Sequence, residues 1–174
     1  QAFLLLYPIL LKHHFNKTIM KVLVTGATGY VGRHLIELFK KSDHEINALM
    51  RKVPNSANFN LDKVKQLIGD INDKEFLNKL DKNFDIIIHL AFSLFPGADA
   101  KTNITGFDNI VNYAQQNPIK KFIYVSSQLV YGNTSKDSIV NEDQPCNTTT
   151  KFGKHQVRAE NKLLYLFKQF EFPA

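Results

Sequence analysis

Three glycines recur at every third position of the run Thr25-Gly26-Ala27-Thr28-Gly29-Tyr30-Val31-Gly32, directly after a short apolar segment. In such a run one glycine allows a tight turn, one lets a phosphate approach the backbone, and one permits close packing of a helix on a strand. The helix that begins there offers free N–H groups to a pyrophosphate. The spacing predicts a dinucleotide-binding loop, whereas a turn that needs glycine for packing alone is the alternative. The predicted contacts are Gly26, Thr28, Gly29, Tyr30, Val31 and Gly32.

The end of the second predicted strand bears on which dinucleotide the loop accepts. Sites that prefer NAD usually carry an acidic residue there, which accepts a hydrogen bond from the ribose hydroxyl. This chain has Met50, Arg51 and Lys52 instead. Because an arginine attracts a ribose phosphate that an acid would repel, the sequence favours NADP over NAD. The alternative is that Arg51 is an ordinary exposed residue at a strand end.

These residues need a scaffold, and the hydrophobic pattern indicates strands that alternate with helices. The predicted strands are Lys21 to Thr25, Glu45 to Met50, Val64 to Ile68, Phe84 to Leu90 and Lys121 to Ser126. The predicted helices are Tyr30 to Lys41, Asp73 to Leu80, Ala98 to Asn117 and Lys151 to Phe170. The Ile86-Ile87-Ile88 run is typical of a strand buried on both faces. The fold class is therefore α/β, a Rossmann-type, doubly wound parallel sheet of about five strands.

Two helices carry apolar residues at spacings that predict their buried faces. In the first helix these are Val31, Leu35, Leu38 and Phe39, and in the last they are Val157, Leu163, Leu164 and Phe167. A long linker, residues 131–150, follows the fifth strand. Since doubly wound folds bind their ligands at the carboxyl ends of the strands, we expect this linker to be functional.

Composition and charge limit the classes of partner. The 174 residues include 22 Lys and Arg against 16 Asp and Glu, a net charge of +6 that is spread along the chain. Nucleic-acid binding is not expected, because it needs a concentrated basic patch. Cys146 is the only cysteine, so no internal disulfide can form and the cytoplasm is the expected compartment. No metal site is predicted.

Residues 1–19 differ in character from the rest of the chain. Ala2 to Leu11 is a run of ten apolar residues. A membrane-spanning helix needs about twenty, and a signal peptide needs a basic region before the run and small residues after it. We therefore expect a leader outside the domain, upstream of a natural start at Met20, and no membrane association. An interfacial anchor is the alternative.

Further motifs follow the glycine loop. They are Gly69-Asp70-Ile71 after the third strand, His89-Leu90-Ala91 at the end of the fourth, Asn103 with Gly106 in the next helix, and Tyr124-Val125-Ser126-Ser127 before Val130-Tyr131-Gly132. With them the chain from Met20 to Ala174 resembles the extended short-chain dehydrogenases, the NAD-dependent epimerase and dehydratase family that acts largely on nucleotide sugars. The resemblance implies that Asp70 and Ile71 flank the adenine and that Leu90 and Ala91 lie along the cofactor. It also implies that Ser127 is a catalytic hydroxyl that binds the substrate, with capping of local backbone as the alternative.

The resemblance further implies a catalytic Tyr and a Lys four residues later, in a segment Tyr-Gly-Lys-x-Lys with a Glu four residues beyond. This chain has Phe152-Gly153-Lys154-His155-Gln156, with Glu160 in place, and no Tyr-x-x-x-Lys occurs anywhere in it. In the family the Tyr exchanges a proton with the substrate, and the Lys lowers the pKa of the Tyr and holds the ribose. A positioned proton donor contributes about 10² to 10⁴ in rate, so its loss predicts impaired catalysis.

By the same resemblance, the NAD(P)-binding domain over residues 20–174 ends before the sixth strand and the substrate-binding lobe. The fifth strand is then an exposed edge, which favours self-association as a homodimer.

Three hypotheses for function follow from these residues. The first is an NAD(P)-binding domain of a nucleotide-sugar epimerase or dehydratase-like protein that is catalytically impaired. The second is an active NADP-dependent oxidoreductase or epimerase in which His155 or Lys154 replaces the proton donor. The third is a non-enzymatic dinucleotide sensor whose binding surface includes the helix over residues 157–167.

Overall fold

Five parallel strands form one sheet in the order β3-β2-β1-β4-β5. The computed structural model describes residues 18–54, 60–93, 100–134 and 139–174. The strands are β1 (Lys21–Thr25), β2 (Glu45–Met50), β3 (Val64–Ile68), β4 (Ile86–His89) and β5 (Lys121–Tyr124). The chain runs outward from β1 through β2 to β3, and then returns to the other side of β1 with β4 and β5. This reversal opens a crevice at the carboxyl ends of β1 and β4, and the predicted fold class is confirmed.

The four predicted helices are present, and all but the last are shorter than predicted. They are α1 (Tyr30–Phe39), α2 (Lys74–Asn78), α3 (Ala100–Gln115) and α4 (Lys151–Phe170), and a 3-10 turn covers Gln128–Tyr131. The predicted start of α3 at Ala98 lies outside the described residues. Asp73 caps α2 through a side chain that accepts hydrogen bonds from the N–H groups of Glu75 and Phe76. β4 and β5 are also shorter than predicted: β4 begins only at Ile86, and the chain leaves the sheet after His89 and Tyr124.

Two apolar cores lie on opposite faces of the sheet, because successive strand residues point to opposite sides. Val22 and Val24 of β1 face the core that includes α1, whereas Leu23 faces the core that includes α3 and α4. The same alternation separates Ile88 from Ile87 in β4, and neither side chain has any exposed surface. The central strands are therefore covered on both faces, as the isoleucine run predicts.

The buried face of α1 differs from the predicted one. Leu35 and Phe39 are buried as expected, but Ile36 and Gly32 complete the face, while Leu38 is exposed and Val31 is half-buried. Positions 32, 35, 36 and 39 follow the helical period, whereas 31 and 38 lie one step to the side. Because Gly32 has no side chain, a prediction based on large apolar residues does not assign it to the buried face.

The buried face of α4 was also predicted wrongly. Leu163 is buried, but Leu164 and Phe167 are 54% exposed and Val157 is half-buried. The buried face consists of Gly153, Gln156, Ala159, Leu163 and Leu166. Small residues let the first turns of α4 approach closely, since a β-carbon on Gly153 would lie 2.8 Å from the Leu129 carbonyl oxygen. Glycine, alanine and glutamine therefore mark this face more than the large apolar residues do.

The outer edge of β5 has a partial cover. The Phe122 N–H donates to the Pro173 carbonyl over 2.6 Å, and the buried Phe172 ring lies 5.6 Å from the Phe122 ring. One backbone group of the edge that was predicted to be open is therefore paired within the chain.

Charged side chains join α3 to α4. The Asp108 carboxylate contacts Arg158 at 2.8 Å and Lys162 at 2.9 Å, and both cations belong to α4. Within the described residues no helix is long and apolar enough to cross a membrane.

A fully buried histidine ends β4. One ring nitrogen of His89, Nδ1, lies 2.8 Å from the Thr25 hydroxyl, and the rings of Phe107, Phe122 and Tyr124 surround it. Burial lowers the pKa of His89 from 6.5 to about 4, because the charged imidazolium would lose its hydration there. His89 is therefore neutral in the folded protein at neutral pH.

This burial makes the stability of the fold depend on pH. Below its ordinary pKa of 6.5 His89 gains a proton in the unfolded chain, but the folded protein resists protonation down to a pKa of about 4. The unfolding free energy is expected to fall by about 3 kcal/mol between those values, as measured by urea denaturation at a series of pH values. His89→Gln should flatten this slope, and His34→Gln, at an exposed position of α1, should retain it. If the unfolding free energy depended on pH equally in His89→Gln and in the unaltered protein, this pH dependence could not be assigned to His89.

Candidate functional site

The glycine loop turns sharply at the end of β1. Gly26 has a φ of +71°, a conformation that favours glycine. A β-carbon at this position would also lie 2.7 Å from the Ala91 nitrogen, in the segment after β4. Both the turn and the close approach of the two strand ends therefore require glycine at position 26.

The first turn of α1 is open to a ligand. Gly29 is the N-cap residue of the helix and has no side chain with which to cap the first N–H groups. The Gly29 N–H itself is used, since it donates to the Gly26 carbonyl over 3.0 Å. The next N–H groups have no partner within an α-helix and carry the positive end of its dipole. This is the arrangement that accepts a phosphate.

Close packing of α1 on the loop depends on Gly32. A β-carbon on Gly32 would lie 2.3 Å from the Gly26 carbonyl oxygen and 2.7 Å from the Ala27 α-carbon. No side chain fits in that space without a shift of the backbone. The absence of a side chain at Gly32 therefore allows α1 to pack directly against the glycine loop.

A cleft of about 440 Å³ opens in front of this loop, within the size range of small-molecule sites. Eight of the residues that the sequence predicts as cofactor contacts line it: Gly26, Thr28, Gly29, Arg51, Asp70, Ile71, Leu90 and Ala91. The Tyr30 side chain is 81% exposed and lies against His34, Val31 is half-buried, and Gly32 is buried. Neither Tyr30 nor Val31 lines the cleft, although their N–H groups belong to the first turn of α1.

Two charged residues lie at the end of the cleft near β2 and β3. Asp70 is held in place by Asn72, whose backbone and side-chain N–H groups both donate to Asp70 Oδ1 over 2.9 Å. Arg51 is exposed, and no ion pair joins it to another residue in the described part of the chain. This end of the cleft therefore carries a cation that has no ion pair among the described residues.

Other lining residues were not predicted as contacts: Leu49, Met50, Gly69, Asn72, Phe92, Ser93 and Asn103. The Asn103 amide exchanges two hydrogen bonds of 3.0 Å with the backbone of Ser93, and so ties α3 to the segment after β4. Most of these residues lie at the carboxyl end of a strand or just after it. That position is the signal by which they were predictable.

The two serines after β5 contact the protein itself. Ser127 Oγ accepts a hydrogen bond from the Leu129 N–H over 3.2 Å and begins the 3-10 turn. Ser126 donates to the Glu160 carboxylate of α4. Ser127 does not line the cleft. Its hydrogen bond caps local backbone, which is the alternative role considered for it in the sequence analysis.

Phe152 and Gln156 also lie outside the cleft lining. The Phe152 ring meets the Phe92 ring edge-on, with 4.9 Å between centroids. Gln156 is only 3% exposed and accepts a hydrogen bond from the Tyr124 hydroxyl. Burial, followed by the nearby Glu160 charge, raises the pKa of Tyr124 well above its usual value, so this hydroxyl stays protonated.

A second, much smaller cavity of about 20 Å³ adjoins the cleft beside Phe92. That space holds little more than a water molecule. His155 lines it together with Tyr124 and Arg158, whereas Lys154 is exposed and does not line it.

The sequence and fold match known proteins. The model of the NAD dependent epimerase/dehydratase family matches residues 22–174. The chain belongs to this family. It is 28% identical to a UDP-glucose 4-epimerase of Neisseria meningitidis serogroup C, covering 82% of this chain and 47% of that protein. It is 30% identical to a dTDP-D-glucose 4,6-dehydratase of Dictyostelium discoideum, covering 89% and 42% respectively.

A solved structure of UDP-glucose 4-epimerase from Thermus thermophilus, in complex with NAD, superposes with a TM-score of 0.79. At 21% identity over 88% of this chain and 52% of that one, this likeness shows the fold. The chain spans about half the length of the relatives that it matches. The expectation of a nicotinamide dinucleotide is confirmed at the level of the family, which is NAD dependent.

Replacement of Gly32 by alanine tests the packing beneath the loop. Alanine favours a helix by about 1 kcal/mol over glycine, but its β-carbon would overlap the Gly26 carbonyl. We expect a net loss of about 1 to 3 kcal/mol in the unfolding free energy, measured by urea denaturation. Gly106→Ala in α3 is the matched control and should lose less, because its β-carbon would meet the Ile71 side chain and no backbone. A Gly32→Ala protein as stable as the unaltered one would contradict this account of the loop.

Proposed function

We propose that this protein is an NAD(P)-binding domain of a nucleotide-sugar epimerase or dehydratase-like protein, and that its catalysis is impaired. The observation that carries the proposal is the uncapped first turn of α1 at the mouth of a 440 Å³ cleft. The residues present fit a dinucleotide, since Gly26 leaves room for the backbone turn and the N–H groups of α1 would hold the pyrophosphate. Asp70 and Ile71 would hold the adenine. A bound nicotinamide would supply hydride transfer.

Arg51 supports a preference for NADP. It lines the cleft at the end of β2, is exposed, and has no ion pair with another described residue. Its guanidinium would bind a 2′-phosphate through charge-assisted hydrogen bonds.

Replacement of Arg51 by alanine tests this preference. Loss of a charge-assisted contact of about 1.5 to 3 kcal/mol predicts NADP⁺ binding about 10- to 100-fold weaker. NAD⁺ binding should change by less than about threefold, because NAD⁺ lacks the phosphate. Isothermal titration calorimetry measures both. Lys52→Ala removes an equally exposed neighbouring cation outside the cleft lining, and should leave both affinities unchanged. Tighter binding of NAD⁺ than of NADP⁺ to the unaltered protein would reject the preference.

The proposed impairment rests on Phe152 and Gln156. Phe152 has no proton to exchange, and Gln156 carries no charge and is engaged by Tyr124. Ser127 is used as a cap within the chain. None of these three residues lines the cleft, and this supports the proposed impairment.

Absorbance of the reduced nicotinamide tests the impairment. Protein loaded with NADP⁺ and mixed with UDP-glucose or dTDP-glucose should form NADPH at least about 10²-fold more slowly than the Phe152→Tyr/Gln156→Lys double variant. Calorimetry confirms loading of both proteins. Equal, measurable rates in the two proteins would contradict the impairment, and no rate in either would mean that more than these two side chains is lost.

An active enzyme with a substitute proton donor is the second candidate. His155 lines the small cavity beside Phe92, and its ring lies 6.4 Å from that ring, whereas Lys154 is exposed. Of the two substitutes, these positions favour His155. The candidate gains support if the unaltered protein has a measurable rate that His155→Gln abolishes and Lys154→Gln preserves.

The remaining proposals concern compartment and assembly. The single cysteine of the sequence, Cys146, leaves no internal disulfide to form, which supports a cytoplasmic protein. A homodimer through the edge of β5 stays a prediction, and it would have to accommodate the Pro173 contact to Phe122.

A further inference from the structure

The two ring nitrogens of His89 differ in their hydrogen bonds. Nδ1 lies 2.8 Å from the Thr25 hydroxyl, whereas Nε2 has no hydrogen-bond partner among the described residues. The residue is only 2% exposed, and its imidazole is neutral at neutral pH because burial lowers the pKa. A neutral imidazole carries one proton, so one of its nitrogens donates a hydrogen bond and the other accepts one.

The Thr25 hydroxyl determines which nitrogen of His89 carries that proton. Thr25 is completely buried, and its oxygen accepts a hydrogen bond from the Ala91 N–H over 3.4 Å. Among the described residues, the hydroxyl proton itself has only His89 Nδ1 as an acceptor. Because a buried hydroxyl proton without an acceptor is costly, Thr25 donates to Nδ1. The proton of the imidazole is therefore on Nε2.

This Nε2–H group borders a small cavity. In the described part of the chain, Asn47 Oδ1 is the only fully enclosed side-chain polar atom that lacks a partner. Nε2 also lacks one, so it is not fully enclosed. His89 lines the cavity of about 20 Å³ beside Phe92 and does not line the 440 Å³ cleft. The small cavity is therefore the space into which Nε2–H can donate.

The size and lining of the cavity suit one water molecule. A volume of about 20 Å³ holds a single water, which needs roughly two to four polar partners. Besides His89, the lining includes Tyr124 after β4 in the sheet order, Asn103 of α3, and His155 and Arg158 of α4. Since the Tyr124 hydroxyl donates its proton within the protein, its oxygen keeps lone pairs that can accept from a water.

The charges at the cavity favour a neutral occupant over an ion. Arg158 is already paired with the Asp108 carboxylate at 2.8 Å, so its charge is not available to balance an anion. No Asp or Glu lines the cavity, and a cation would meet Arg158 without a carboxylate to offset it. An ion taken from water into such a space would lose its hydration without compensation.

We infer that a single water molecule is bound in this cavity and accepts a hydrogen bond from His89 Nε2–H. Ala91, Phe92 and Asn103 line both the cavity and the cleft, so the water lies directly behind the cleft wall. On the other side of the ring, Thr25 accepts from the Ala91 N–H. His89 is thus a positioning residue that links the water to this wall, and the water site requires no bound dinucleotide.

NMR spectroscopy of the ¹⁵N-labelled protein at neutral pH tests the site. A long-range ¹H–¹⁵N spectrum should place the His89 proton on Nε2. This proton should give cross-peaks to water of opposite sign in NOESY and ROESY spectra, as contact with a bound water produces and proton exchange does not. His89→Gln should remove these signals, and His34→Gln, at an exposed position, should retain them. A proton on Nδ1, or a proton on Nε2 that shows no contact with water, would overturn the inference.

Neutron crystallography of the unaltered protein is a second measurement, which depends on no variant. We expect deuterium on His89 Nε2 and one D₂O molecule within hydrogen-bond distance of it in the cavity. Deuterium on Nδ1 or an empty cavity would overturn the inference. Crystals grown with bromide test for an anion, because anomalous X-ray scattering from the cavity would identify bromide there and would also overturn it.

Discussion

Helix α1 approaches the end of β1 so closely that the Gly26 carbonyl occupies the place of a side chain at position 32. This contact sets the direction of the helix, whose uncapped first turn points across the carboxyl edge of the sheet. On its other side Gly26 lies against Ala91, so the same turn fixes the distance between the ends of β1 and β4. The position of the cleft follows from these two approaches. A larger residue at either place would separate the elements that form the cleft.

Two hydrogen bonds join α4 to the end of β5, and the spacing of the donors matches that of the acceptors. Tyr124 and Ser126 are two residues apart on an extended segment, roughly 6.6 Å, and Gln156 and Glu160 are four apart on a helix, roughly 6 Å. Two hydroxyls can therefore donate to two acceptors side by side, as the structure shows. Gly153 lets the first turn of the helix approach the Leu129 carbonyl of the 3-10 turn, and Ala159 belongs to the buried face. The result is a helix whose inner face is partly polar and whose Leu164 and Phe167 point outward.

The strands and the glycine loop were predictable, because few other local structures fit a short run of apolar residues or glycines at a fixed spacing. The cleft lining was predictable in part, since the carboxyl ends of parallel strands meet at one edge. The inner face of α4 was not, because hydrophobic periodicity gives weight to Leu164 and none to Gly153. The contact of Phe92 with Phe152 joins residues sixty positions apart, and no local pattern reports such a pairing. His89 stood in a recognised motif, but its complete burial depends on aromatic rings from α3 and β5.

The resemblance implies a Tyr and a Lys at two positions of α4 where this chain has Phe152 and Gln156, and both residues suit their surroundings. Gln156 is almost completely buried, and a neutral amide loses less hydration there than an ammonium group would. Tyr124 keeps its proton and needs an acceptor, which glutamine has and lysine lacks. Phe152 likewise lacks the hydroxyl of a tyrosine and packs its ring against another phenylalanine. Gln156 thus has a partner in Tyr124, and Phe152 has a partner in Phe92. Because Tyr124 belongs to the sheet and Phe92 to the cleft wall, both side chains also help to hold α4 in place.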